Sequence, residues 1–245
     1  MSELNANILE QLAPTGTLRT ALNMNNSLLV VGKDDAGAPI GPSPDLAESI
    51  ADALGVQLQL VEFKSPSEVT AAAGSDQWDI ANIGAEPQRA AVMDFTPAYC
   101  EIEANYLVAA GSTLRSVDDV DKRGVTISAP EGSAYSLWLE NNIQHADLRL
   151  IKGSAVEQFT RDGLDVLAGL RSHLVKLEQE IVGSRILLGQ FTAVQQAVAV
   201  NKGREEGLAW LIDFVEAAKS SGLVASFIAA HGVADQLSVA PAKSL

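Results

Sequence analysis

Strand patterns and helix patterns take turns along almost the whole sequence, and this alternation constrains the fold more than any other feature. Residues 18–22, 56–63, 78–83, 105–109, 125–129, 165–169 and 195–200 read as strands. Residues 43–54, 67–74, 132–142, 154–161, 170–180, 205–219 and 224–231 read as helices, and 113–121 as a turn with a short helix. Such alternation predicts an α/β fold with largely parallel strands. Ser43 reads as an N-cap, with Pro44 at the first helical position and Asp45 near the positive end. Leu46, Ile50, Ala53 and Leu54 then share a face, and Gly55 ends the helix. Leu208, Leu211, Ile212 and Val215 mark another apolar face, with Gly222 just beyond that helix. The segment 195–200 has little polar relief, which predicts burial on both faces. Residues 235–245 lack periodicity and are expected to form a loose tail.

A chain of 245 residues can bury one large core or two modest ones. Its 17 Lys and Arg stand against 31 Asp and Glu, a net charge of −14. That balance argues against nucleic acid and against an anionic membrane surface, both of which need clustered cations. The lone cysteine, Cys100, allows no intrachain disulfide and no thiolate cluster, and reads as a buried small hydrophobe. The N-terminus shows no basic region, apolar run or small-residue cleavage site, and no stretch approaches the ~18 apolar residues of a membrane span. Membrane insertion is therefore not expected. Taken as it stands, the sequence reads as a leaderless cytoplasmic chain, or as a periplasmic one if a leader has been removed.

The chemistry concentrates in Trp78-Asp79-Ile80-Ala81-Asn82-Ile83-Gly84-Ala85-Glu86-Pro87-Gln88-Arg89, followed by Val92-Met93-Asp94-Phe95-Thr96-Pro97-Ala98-Tyr99. A strand runs into a Gly-containing turn, and Pro87 opens a helical turn that carries one arginine. An arginine beside free backbone N–H groups is a natural carboxylate receptor. The alternative for Arg89 is a surface arginine paired with Glu86 or Asp94.

This stretch resembles the bacterial extracellular solute-binding proteins of family 3, the polar amino-acid receptors of ABC importers. Their pattern reads strand, Gly-x-Thr-x-(Thr)-Pro-Glu-Arg, then Val-Asp-Phe-Ser-x-Pro-Tyr. Gly16-Thr17-Leu18-Arg19 resembles the family's opening strand, and the run from Pro44 to Gly55 its first helix. Glu131-Gly132-Ser133-Ala134, Gly163-Leu164-Asp165-Val166 and Gln195-Gln196-Ala197-Val198 follow in the family's order. The resemblance implies two Rossmann-like lobes joined by a two-strand hinge, the type II periplasmic-binding-protein fold. Lobe 1 is then discontinuous, residues 1–102 plus 196–245, and lobe 2 spans 103–195. It also implies a solute-binding protein, not an enzyme, that closes on a small carboxylate-bearing molecule in a cleft, with an ABC permease as partner if exported.

On this resemblance the ligand contacts are Arg89, for a two-point grip on the carboxylate, and Ser133 with Gly132 and Ala134, as a hydroxyl and N–H cradle. Asn23, Asn26 and Asn82 form a polar lining, with turn chemistry as the alternative for them. Gln195 and Gln196 fall at the hinge, where one reaches the ligand and the other bonds crossing backbone, with Gln195 taken as the ligand contact. The departures carry information too. Gly84 stands where the family has a Thr or Ser touching the carboxylate, and Asn82 where it has a glycine. The aromatic sandwich is missing around 23–26 and 65–67. Leu170 stands near where the family places the Asp that pairs with an α-ammonium, so a standard α-amino acid is not the expected ligand. Arg171 would favour a dicarboxylate or keto acid if it faced the cleft, and otherwise reads as a solvated helix residue.

His145, His173 and His231 read as surface or helix-end residues, and no spacing supports a metal site or a phosphate loop. No cofactor is expected. Two other functions fit the same fold: a cofactor-free elimination like that of cyclohexadienyl dehydratases, and a cytoplasmic sensor or partner-binding module with a vestigial cleft.

Overall fold

The chain divides into two units, seen in a computed structural model that describes residues 4–242. The first takes the described residues through Glu101 and again from Gln195 onward, and the second takes Ile102–Val194. In chain order the first unit holds α1 (Ala6–Leu12), β1 (Thr17–Asn23), β2 (Gly32–Lys33), β3 (Pro39–Ile40), α2 (Pro42–Leu54), β4 (Gln57–Phe63), α3 (Pro66–Ala71), β5 (Ile80–Gly84) and β6 (Met93–Phe95). β7 (Cys100–Val108) carries the chain into the second unit, with β8 (Thr126–Pro130), α4 (Ala134–Asn142), β9 (Asp147–Ile151), α5 (Ala155–Asp162), β10 (Val166–Leu170), α6 (Arg171–Glu180) and β11 (Arg185–Ile186). β12 (Thr192–Asn201) brings it back to α7 (Glu205–Ser220), α8 (Leu223–Ala230) and β13 (Ser238–Val239).

In the first unit β1 pairs in parallel with β4 and with β5, and β12 runs antiparallel to β5. The buried run Gln196–Asn201 explains the nearly unrelieved apolar sequence of β12, since both of its faces are covered. Ala21, Val69, Trp78, Ala81, Ile83, Met93 and Ala199 form one core cluster of this unit. In the second unit β8 pairs in parallel with β9 and β10, and β7 runs antiparallel to β10. Tyr106, Val108, Val166 and Ala168 point into one core cluster, while Leu107 and Leu167 point into the other. The period-two alternation of β7 and β10 thus feeds helices packed on both sheet faces.

α2 starts two residues earlier than its sequence suggests. Gly41 holds the N-cap place at φ 146°, and Pro42 takes the first position, where a missing N–H costs nothing. A Cβ on Gly41 would lie 2.4 Å from the Leu29 carbonyl oxygen, so only glycine lets the chain turn there. Ser43 is consequently not the cap. Its N–H donates to the Leu29 carbonyl, and its buried hydroxyl meets the Tyr99 hydroxyl at 2.8 Å. Gly55 does end the helix in the left-handed conformation expected of it.

The C-terminal segment corrects the expectation of a loose tail. β13 pairs with Cys100 and Glu101, and Leu237 and Ala240 are buried. The Lys219 ammonium donates to the Pro241 carbonyl at 2.9 Å. Residues 243–245 of that expected tail lie outside the described residues. Ending the chain after Gln236 should therefore lower stability by about 2–3 kcal/mol, read as a lower urea midpoint, through the lost apolar burial and strand pairing.

One buried charge cluster ties the first unit together. The Asp79 carboxylate is fully buried and accepts from Arg19 Nε at 2.8 Å, Arg19 Nη2 at 2.7 Å and the Arg19 backbone N–H at 3.0 Å. Arg204 Nη1 lies 3.5 Å from the same carboxylate and donates to the Asp79 carbonyl at 3.1 Å. The hydrogen bond to Asp79 also raises the pKa of Arg19 above its usual value. The cluster links β1, the start of β5 and the N-terminus of α7.

Candidate functional site

The strand β5 delivers Gly84 at its end, and the chain then makes a single helical turn. The Glu86 carbonyl accepts from the N–H groups of Arg89 and Ala90 at 3.0 and 3.1 Å, which leaves Pro87 where it needs no partner. A three-residue 3-10 helix, Arg89–Ala91, completes the turn, shorter than a regular α-helical start. The turn folds Arg89 back over β5. Its Nη1 donates to the Gly84 carbonyl at 2.7 Å, and its Nη2 lies 3.4 Å from a Glu86 carboxylate oxygen. The Arg89 side chain keeps only 13% of its surface exposed. Burial lowers its pKa, and Glu86 opposes that shift. Asp94 is not its partner, being paired instead with Lys202.

Gly84 is what lets the guanidinium lie so close. A Cβ there would stand 3.0 Å from Arg89 Nη1, 3.6 Å from Gln196 Nε2 and 3.7 Å from Glu86 Oε1. Replacing Gly84 by Thr should force Arg89 off the Gly84 carbonyl, at a cost of about 1 kcal/mol for the lost hydrogen bond. A crystal structure and a urea titration of the variant would show both effects.

The other sequence-predicted residues of the first unit divide between this spot and local structure. In the register of β12 on β5, Gln196 stands opposite Gly84. Gln195, one residue earlier, sends its amide to Glu101 at 2.6 Å, while its carbonyl accepts the Ala85 N–H at 2.8 Å. Of the two glutamines, Gln196 is therefore the one beside Arg89. Asn82 is buried, and its Nδ2 donates to the Ser43 carbonyl at 2.9 Å, pinning the start of α2 to β5. The Asn23 and Asn26 side chains accept from the N–H groups two residues on, Asn25 and Leu28, the geometry of Asx turns. Glu86 and Gln196 are the residues at this spot that the sequence reading did not single out as ligand contacts.

In the second unit the turn before α4 holds Gly132, Ser133 and Ala134. Gly132 has φ +77°, a conformation suited to glycine. Ser133 caps α4, its hydroxyl accepting from the Ser136 N–H at 3.1 Å and donating to the Pro130 carbonyl at 3.2 Å. Ala134 opens the helix. Beside this turn, at the C-terminal ends of β8 and β9 and against the middle of β10, lies a cavity of about 250 Å³ lined by Pro130, Tyr135, Ser154, Leu167, Ala168 and His173. Ligands of open α/β sheets gather at such strand ends. Leu170 closes β10 and stands at the N-cap of α6 without a carboxylate. Arg171 Nε lies 3.7 Å from Glu103, both side chains about a third exposed, as a solvated helix residue would be.

His231 ends α8 and bonds Asp45 in the first turn of α2 at 2.7 Å. His145 and His173 are exposed. Among the described residues no group of three or more His, Cys, Asp or Glu could hold a metal ion, and no helix is long and apolar enough to cross a membrane. Cys100 is buried, and burial pushes its thiol pKa well up. Ellman's reagent should accordingly find no reactive thiol in the native protein and one after denaturation.

A sequence profile of the bacterial extracellular solute-binding proteins, family 3, matches residues 19–232. The chain belongs to this family. None of the curated proteins compared with the chain matches it. Among solved structures it is similar to a putative binding component of an ABC transporter from Wolinella succinogenes complexed with lysine, at 22% identity and TM-score 0.64, covering 87% of this chain and 94% of that one. It is similar to an amino-acid ABC transporter substrate-binding protein from Streptococcus pneumoniae bound to L-arginine, at 22% identity and TM-score 0.63, covering 91% and 97%. It is also similar to an ancestral cyclohexadienyl dehydratase, at 18% identity and TM-score 0.57, covering 92% and 96%. At these identities the likeness shows the fold, and this family member has the α/β type II periplasmic-binding fold.

Proposed function

We propose that this protein binds a small carboxylate-bearing solute and closes on it without turning it over. Arg89 anchors the carboxylate. The observation that carries this reading is the state of Arg89: a largely buried guanidinium, held by a single turn over a glycine, with the Glu86 carboxylate 3.4 Å away. A cation removed from water in this way gains from a further anionic partner. The family match agrees with small-solute binding. The sequence has Leu170 near where the family pattern places the Asp that pairs with an α-ammonium, which favours keto acids and other simple carboxylates over α-amino acids. If the protein works outside the cytoplasm, its partner is an ABC permease.

Thermal-shift screening of amino acids, keto acids and dicarboxylates tests this reading. A true ligand at a hundred times its Kd should stabilise the protein by about 2.7 kcal/mol. No stabilisation by any carboxylate would contradict the proposal. Mass spectrometry of the bound solute over hours would detect turnover, and steady chemical change without a cofactor would replace the receptor reading with an enzymatic one.

A further inference from the structure

Three polar termini crowd the space that a side chain on Gly84 would take, and one of them bears a negative charge. The Arg89 guanidinium and the Gln196 amide are donors, and Glu86 presents a carboxylate oxygen to the same space. Glu86 sits three residues before Arg89 on one turn, and both side chains are largely buried, at 23% and 13% exposed. The family pattern has a threonine at this place, a residue without charge.

We propose that Glu86 is an internal competitor for Arg89, a tethered carboxylate that takes up the guanidinium until a solute carboxylate displaces it. This deepens the proposed function and rests on the reading of Arg89 as the anion anchor. The physical basis is simple. Glu86 is held on the same turn as Arg89, so it pairs with no loss of translational freedom and at high effective concentration. An arriving carboxylate must either break that pair or accept a like charge beside it, and like-charge juxtaposition is costly. Glu86 therefore sets the affinity of the site, and it discriminates most strongly against dianions. The charge-compensated pair also explains how Arg89 stays buried without solute, for burial alone disfavours the charged form and Glu86 offsets part of that penalty.

The test uses the intact chain and phenylglyoxal, which modifies accessible guanidinium groups, with the adduct on the Arg89 peptide followed by mass spectrometry. Glu86→Gln preserves size and removes charge, and Glu86→Thr restores the family residue should the glutamine disturb the turn. Both variants should modify at Arg89 about five-fold faster than the wild type. Protection by 2-oxobutyrate should set in at about five-fold lower concentration, the order expected for removing one like charge at ~4 Å in a water-like dielectric. Unchanged or slower modification in both variants, or protection that needs the same or more 2-oxobutyrate, would overturn the role of Glu86. Faster modification with no protection by 2-oxobutyrate in any form of the protein would instead remove the anion-anchor reading on which it rests.

Discussion

Arg89→Ala is expected to abolish carboxylate binding while leaving the unliganded protein nearly as stable as before. The two halves of this prediction come from different contacts. Without solute, Arg89 makes one hydrogen bond to the Gly84 carbonyl and one partly shielded ion pair with Glu86. Losing both costs about 1 kcal/mol. With solute bound, truncation leaves a carboxylate without its charge-assisted partner in a part-buried place, which costs about 2–5 kcal/mol. That is a rise in Kd of roughly thirty-fold to several thousand-fold. Isothermal titration should show the loss, and melting of the free variant should show little change. Arg89→Lys should recover only part of the affinity, because an ammonium cannot make the parallel two-point grip of a guanidinium.

The largest effect on stability is expected at Asp79. Asp79→Ala leaves Arg19 and Arg204 facing a buried gap, and breaking a buried pair by removing one partner typically costs about 3–5 kcal/mol. The cost falls on the first unit, because the cluster joins β1 to the start of β5 and to α7. Asp79→Asn should lose less, since the amide keeps an acceptor for Arg19 while losing the charge. Urea unfolding followed by the fluorescence of the buried Trp78 and Trp210, both in this unit, would measure the difference. A change below about 1 kcal/mol for the alanine variant would mean that the two arginines find other partners.

The α/β class, most of the strands and the helices were legible in the sequence because each carries its own period. β10, β12, α6 and α7 fall close to where alternation, apolar runs and end signals put them. β9 was within reach, since Asp147-Leu148-Arg149-Leu150 alternates, but four residues between two helix patterns carry little signal. The short strands β2, β3, β6, β11 and β13 take their identity from the strands they pair with, which no local pattern announces. α1 is similar: it holds because α7 offers a glycine, Gly207, where a Cβ would lie 2.8 Å from Leu12. At the site, the motif around Arg89 was readable, and so was the departure at Gly84. Gln196 was not separable from Gln195, because the register of β12 on β5 decides which of them faces Arg89. Glu86 was visible as a neighbour in sequence, yet its place over Gly84 comes with the turn that the Arg89 and Ala90 N–H groups close on its carbonyl.

The Arg89 guanidinium is expected to receive a solute's carboxylate. A crystal structure of the protein with the carboxylate that stabilises it best tests this most directly. Two carboxylate oxygens are expected at about 3 Å from the Arg89 nitrogens, with the Glu86 carboxylate moved away from them. A solute bound with its carboxylate elsewhere, while Arg89 still rests on the Gly84 carbonyl and Glu86, would contradict it.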